Sequence, residues 1–408
     1  MANIRRQLMG LGFVSASSLM AMGAAHAMNG QTNIKIDGGP LGELEMSGGM
    51  AGYGYVLNNA ATDGGTYHDN GTRISAILLQ LQKTTGIVQF NVRVGKNNGG
   101  GITLGTKPAT VDGLNGRSTG PVDLAYITIA PPQSPVTISA GSLSSLEGYE
   151  SSTSWNNFSL FSTAIAYVET SNQTGVNAVY TKGPASLTLQ FGDNGDTHVF
   201  NTLQGLGTYN FNSNNALNVY FTQSLGRAGV NTHTTVNGGN SWTSSSLGAN
   251  GIMVNSNMYG AYYSWTHGNL NLVPEVQYVY AKVDHQVGID KFTSNLGAAL
   301  FGDYSFANTP YSLGGWIAWE KSVGGSSTNA AGNEVDSTWF IGPNDESIAL
   351  AISPTWQYKD LYVRANAGVI HLLNNKYSYN GVSHTYGFGG SNDKKTQIVG
   401  ALETGFVF

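Results

Sequence analysis

The chain has 408 residues, no Cys, 55 Gly, 11% charged residues and a formal charge of -5 at pH 7. A soluble domain carries about 25% charge, and the hydrophobic fraction here is only 40%. The absent Cys excludes disulfide frameworks and thiolate zinc sites, the acidic balance argues against a nucleic-acid partner, and 11% aromatic residues are too many for a solvated coil.

The first element is a leader. Arg5 and Arg6 precede a mostly apolar or small stretch, Leu8 to Met22, and Ala25-His26-Ala27 fits a small-x-small cleavage site. Residues 1–27 therefore read as a secretory signal peptide, and 28–41 as a periplasmic segment ahead of the first strand. Beyond the leader no run of about 20 apolar residues could cross a bilayer as a helix.

From about residue 42 the pattern has period two. In 87–94, Val88, Phe90, Val92 and Val94 share one face, and Gln89, Asn91 and Arg93 take the other. Leu217, Val219 and Phe221 repeat the alternation, as do Val363, Ala365 and Ala367 opposite Arg364 and Asn366. The spacing predicts strands at about 42–57, 71–83, 86–95, 121–130, 136–143, 173–182, 185–192 and 199–211. A second set follows at 216–226, 256–267, 270–282, 294–306, 310–321, 346–358, 361–372 and 395–408. Short turns alternate with long polar connections, so the sixteen strands fall into hairpins. Phe158 to Val168 could form a seventeenth strand, but that would break the alternation, so it is assigned to a long connection, 144–172.

This rhythm predicts an all-β chain, a transmembrane antiparallel up-and-down β-barrel with short periplasmic turns and long external loops. Closure is required because hydrocarbon offers no partner to an open sheet edge. The apolar face is expected to meet lipid, and the polar face to line a hydrated lumen with no packed core. Tyr180, Tyr209, Tyr278, Tyr280, Tyr304, Trp319 and Trp356 lie where interfacial aromatic girdles are expected.

Two stretches resemble bacterial outer-membrane porins, most closely the OmpL-like β-barrel porins and the general porins of sixteen strands. One is the terminal Leu402-Glu403-Thr404-Gly405-Phe406-Val407-Phe408, which is similar to the assembly signal of outer-membrane barrels, carried here by Phe406 and Phe408. The other runs from Gly141 through Glu147-Gly148-Tyr149-Glu150 and Trp155 to Thr174-Gly175-Val176 and Tyr180, and resembles the region around the third external loop of porins. The resemblance implies that 144–172 folds into the lumen of the 42–408 barrel as a constriction loop. It implies Glu147 and Glu150 as acidic constriction residues, with Arg73 and Arg93 on the wall. The sequence departs from the general porins in its sparse Arg wall, so no strong transverse field is expected.

Alternation places Glu43, Glu45, Asp123, Glu275, Asp303, Glu320, Arg364 and Glu403 along the lumen. Acid excess favours cations, so the expected function is passive diffusion of ions and small hydrophilic solutes with a weak cation preference. A substrate-specific outer-membrane channel and a β-rich surface adhesin without transport are the alternatives. The His residues show no metal spacing, Asp193-Asn194-Gly195-Asp196 reads as a turn, and no catalytic group, metal or cofactor is expected. The expected location is the bacterial outer membrane, with lipid and lipopolysaccharide around the wall. The resemblance further implies a homotrimer.

Overall fold

The computed structural model describes residues 33–60, 70–97, 101–106, 121–170, 172–195, 197–228, 231–236, 239–244, 252–284, 289, 291–324, 327–328, 334–335, 339–379 and 381–408. The signal peptide expected over 1–27 lies outside the described residues.

Sixteen strands form one sheet. They are β1 (Glu43–Leu57), β2 (Asn70–Lys83), β3 (Val88–Asn97), β4 (Val122–Ile129), β5 (Val136–Leu143), β6 (Gln173–Lys182), β7 (Ala185–Gly192) and β8 (Thr202–Asn212). The rest are β9 (Asn215–Ser224), β10 (Ser256–His267), β11 (Leu270–Ala281), β12 (Thr293–Ser305), β13 (Tyr311–Val323), β14 (Glu346–Tyr358), β15 (Leu361–Asn374) and β16 (Thr396–Val407). Each pairs antiparallel with its neighbour in sequence. The sheet closes where β1 pairs with β16, from Gly49 opposite Val407 to Leu57 opposite Val399. Every predicted strand is present, with ends moved by a few residues. Closure leaves no edge, which is the condition for crossing lipid.

The burial pattern is that of a water-soluble sheet turned inside out. On β7, Ser186, Thr188 and Gln190 are buried, while Leu187, Leu189 and Phe191 are exposed. On β3, Gln89 and Asn91 are buried and Val88 is exposed. Exposed Leu, Ile and Val side chains on all sides form an apolar outer wall. An apolar outer face is stable only against lipid. Tyr180, Tyr209, Tyr278 and Tyr304 are exposed near strand ends. Tyr209 meets Phe211 edge-on at 5.0 Å, and Tyr304 meets Phe306 at 5.2 Å.

The expectation that the enclosed face carries no packed core is corrected by the structure. An apolar cluster joins Leu160, Phe161 and Ile165 to Tyr53, Phe301, Trp316 and Ile370. The reason is the composition of 158–168, whose apolar side chains find burial against aromatic residues on the enclosed face. This stretch is not a seventeenth strand. Phe161–Ser162 pairs in parallel with Ile102–Thr103, and Ala164–Tyr167 forms one helical turn, α1.

Ahead of β1, Ile34–Asp37 folds back on Glu43–Met46 through a 3-10 turn at Gly39–Leu41, and Lys35 Nζ lies 2.7 Å from Glu43 Oε1. At the other terminus, the backbone of Phe408 exchanges two hydrogen bonds of 2.9 Å with Gly48.

Candidate functional site

The connection between β5 and β6 carries the chemistry that the strands do not explain. Residues 144–170 are tied to the buried faces of strands far apart in the barrel, through two groups of contacts of different kinds.

The first group centres on Arg364 of β15, fully buried among Glu403, Ser154 and Asn157. Its Nε and Nη2 donate to Glu403 Oε2 at 2.8 and 2.5 Å. Its Nη1 donates to Asn157 O at 2.7 Å and its Nη2 to Ser154 O at 3.0 Å. Glu403 also accepts from Ser154 Oγ at 2.7 Å and Tyr362 OH at 3.1 Å. The chain then runs along β13–β15. Leu160 N donates to Asn366 Oδ1 at 3.1 Å, and Trp316 Nε1 donates to Phe161 O at 2.7 Å. Gly314 of β13 makes this approach feasible, since a Cβ there would stand 2.2 Å from Phe158 O. Trp155 is buried against Ala51, Tyr362 and Val407.

The second group holds 144–150 and 163–170 against β8–β11 through the carboxyl groups of Glu147 and Glu169, while Glu150 ties the two runs to each other. Glu147 accepts from Thr170 N at 2.5 Å, Thr170 Oγ1 at 2.7 Å, Gln204 Nε2 at 3.4 Å and the Thr222 hydroxyl. Glu150 accepts from Thr163 N at 3.1 Å and from the Thr163 hydroxyl, which also caps α1 by accepting from Ala166 N at 3.2 Å. Glu169 accepts from Gln277 Nε2 at 3.2 Å. The network continues from Gln277 Nε2 to Tyr220 OH and from Tyr220 OH to Glu275 Oε1 at 2.8 Å. Burial pushes the Glu147 carboxyl above the ordinary range and the Glu150 carboxyl up to about 7. Burial, then the charges of Glu275, Glu147 and Glu150, push Glu169 well up. Desolvation disfavours the ionised form, and no cation offsets it for these three groups.

Each residue singled out by sequence has a definite place. Glu147 and Glu150 meet hydroxyl, amide and backbone donors, not Arg73 or Arg93. Arg93 pairs with Asp123, Nη2 to Oδ2 at 2.5 Å. Arg73 is half-buried, donates to Thr72 O at 2.9 Å and lies over the Tyr55 ring at 5.7 Å. Glu275, Asp303, Glu320, Arg364 and Glu403 are all buried. Glu320 accepts from Asn295 Nδ2 at 2.7 Å and Ser347 Oγ at 3.0 Å. Glu45 is half-buried and accepts from Gln82 Nε2 at 2.8 Å, while Glu43 is exposed at the rim beside Lys35. Phe406 is exposed on the outer wall next to Phe408, with ring centroids 5.8 Å apart. Asp193 ties its connection to β6 by accepting from Thr174 N at 2.7 Å and His198 N at 3.2 Å.

Sequence reasoning did not single out Glu169, although it is a third acid between β5 and β6. Nor did it find Arg364 as an anchor for 154–157, a contact with 207 residues between partners. Among the described residues no group of three or more His, Asp or Glu side chains is placed to hold a metal.

Residues 43–408 match the family model described as "Putative beta-barrel porin-2, OmpL-like". Comparison with curated proteins by sequence finds no match. Solved structures give the fold. OmpT of Vibrio cholerae, folded in vitro, is similar over 90% of this chain and 98% of its own, with TM-score 0.55 and 9% identity. Its trimer form covers 90% and 99%, with TM-score 0.52 and 9% identity. The anion-selective porin from Comamonas acidovorans covers 90% and 99%, with TM-score 0.53 and 10% identity. The outer-membrane channel DcaP of Acinetobacter baumannii covers 90% and 97%, with TM-score 0.52 and 11% identity.

Proposed function

We propose that this chain, which belongs to the OmpL-like beta-barrel porin-2 family over residues 43–408, is a passive channel for ions and small hydrophilic solutes with a weak cation preference. The barrel resides in the bacterial outer membrane. The family and its solved neighbours are porins and channels, not enzymes. The observation that carries the channel reading is the inverted burial pattern, with an apolar wall outside and Gln, Asn, Thr and charged side chains inside a closed sheet of sixteen strands.

Segment 144–172 lies across the lumen as its constriction. It is tied to β13–β16 on one side and β8–β11 on the other, and only a strap crossing the interior reaches both. What remains for water runs past the half-buried Glu45, Arg73, Gln80, Gln82 and Tyr126 and the outer face of the strap at Ser151 and Ser152. Most of the acids counted along the lumen are buried, so the cation preference rests on Glu45, joined by Glu150 only as that carboxyl ionises, against Arg73. That balance makes it weak.

The apolar wall is in contact with lipid, with lipopolysaccharide at the outer rim. A homotrimer is supported by the trimer form of OmpT and by the flat outer side of β1, where Gly48, Gly52 and Gly54 flank the exposed Met50. Residues 1–27 act as the export signal, and 28–41 form the periplasmic segment.

Reversal potentials in planar bilayers under a KCl gradient test the selectivity, and anion preference would sink that part. Absence of conductance, together with fractionation away from membranes, would favour the adhesin alternative. Saturation of the current by one solute class would favour a substrate-specific channel.

A further inference from the structure

We infer that segment 144–170 is a flap worked by pH, whose carboxyl-bearing limb releases the β8–β11 wall as protons are lost while its other limb stays docked, so that the channel widens. This rests on the reading that the segment narrows the lumen.

The two limbs are held by different chemistry. At 154–161 the anchors are Arg364 with its partner Glu403, the amide of Asn366, the indole N–H of Trp316 and the hydroxyl of Ser353. The guanidinium is paired with its own buried carboxylate, and the other anchors of this limb are an amide, an indole and a hydroxyl, so no like-charged acids crowd it. At 144–150 and 163–170 the anchors to the wall are Glu147, through Gln204 and Thr222, and Glu169, through Gln277, while Glu150 joins the two runs to each other through Thr163.

The groups facing those three carboxyls are distributed over several elements. The strap itself offers Thr163, Thr170 and Tyr149. Gln204 comes from β8, Tyr220 and Thr222 from β9, and Tyr262 from β10. Glu275 and Gln277 come from β11. Asp303 of β12 acts on Tyr149 and is itself opposed by Arg364. The charged groups acting directly on Glu169 are all acids, namely Glu275, Glu147 and Glu150. Ionised together, these would place several like charges where water has been removed, which is strongly unfavourable.

The sign follows from linkage. The docked carboxyls hold their protons more tightly than solvated ones, so docking binds protons. Docking is complete at low pH and weakens as pH rises above the ordinary carboxyl range, because burial pushes Glu147 and Glu169 up in the docked state. Gly148 sits at φ +66°, in left-handed backbone that favours glycine, with the Glu169 carboxyl packed where a Cβ would stand, and Ser151-Ser152-Thr153 separate the titrating limb from the fixed one.

The test is single-channel conductance of the full chain in planar bilayers from about pH 5 to about pH 9. Conductance should rise about two-fold or more from the acid to the alkaline end of this range. The triple variant E147Q/E150Q/E169Q should stay at the narrow value throughout. The chain has no Cys, so Ser145→Cys with Gln204→Cys, bridged by a short reducible thiol-reactive linker in place of the glutamine side chain that now reaches Ser145 Oγ, supplies a specific lock. The bridged pair should stay narrow at both ends of the range, and cleavage of the linker by reduction should restore the rise. A flat wild-type profile, or a rise that persists in the locked channel, overturns the proposal. Replacing 145–169 with a short Gly-Ser linker separates the two claims. Wild-type conductance in that variant overturns the constriction reading itself. Raised conductance there beside a flat wild-type profile overturns only the pH dependence.

Discussion

Arg364 and Glu403 form an ion pair with both side chains fully buried, Nη2 to Oε2 at 2.5 Å. The two strands that carry them are neighbours, β15 and β16, and the residues are directly opposed in register. The remaining donors of the guanidinium hold backbone carbonyls of the strap, so one pair joins barrel closure to loop position.

Replacing Arg364 by Leu should therefore have two consequences. Glu403 is left buried without its cation, which costs about 3–5 kcal/mol. The strap also loses its contacts at Ser154 and Asn157, so conductance should rise. R364L/E403L should recover much of the stability but not the narrow conductance. Urea midpoints of the folded barrel and bilayer currents separate these outcomes.

Gly314→Val should dislodge the strap without harming the wall. A Cβ at this position would lie 2.2 Å from Phe158 O, while Val is well suited to a strand. The expected result is a wider channel with unchanged heat modifiability on a gel. Unchanged conductance would mean that 158 can shift without opening a path.

Trp316→Phe keeps an aromatic ring, although a smaller one, and removes the donor to Phe161 O. An unsatisfied buried carbonyl costs about 1–3 kcal/mol, so docking weakens without being abolished. Single-channel records should show more frequent excursions to a larger conductance.

Arg73→Gln removes a half-buried cation that has no carboxylate within ion-pair distance among the described side chains. Cation preference should rise, seen as a larger reversal potential in a KCl gradient, with stability nearly unchanged. Arg93→Gln differs because it strands Asp123, so its gain in cation preference should come with a loss of stability.

The two faces of the wall should respond oppositely to charge. Val276→Arg, on the exposed face of β11, should cost about 2–4 kcal/mol near the bilayer midplane. Gln80→Arg, half-buried on the enclosed face of β2, should cost far less. Folding equilibria into lipid vesicles compare them directly.

The wall was legible in the sequence because its cause is local. Lipid outside and water or polar packing inside impose a strict two-residue alternation, and turn residues mark the hairpins. Leu187, Leu189 and Phe191 against Ser186, Thr188 and Gln190 reveal both the strand and its faces. The assignment of 158–168 to a connection also followed from the hairpin rhythm. The roles of the acids were not legible in this way. Alternation places Glu275 and Glu403 on the enclosed face, yet one meets Tyr220 and the other Arg364. Nothing in the spacing distinguishes them.

The sequence by itself determined sixteen strands, their order and the face each residue presents, since a strand's neighbours and its solvent act on it residue by residue. The tertiary structure alone decided what fills the enclosed space. Ser154 and Asn157 meet Arg364 more than 200 residues later, and the strap's apolar side chains pack on aromatic residues from several distant strands. Whether a carboxyl inside the barrel faces water, a cation or a hydroxyl depends on those long-range contacts, because desolvation is set by everything packed around a group and not by its position along the chain.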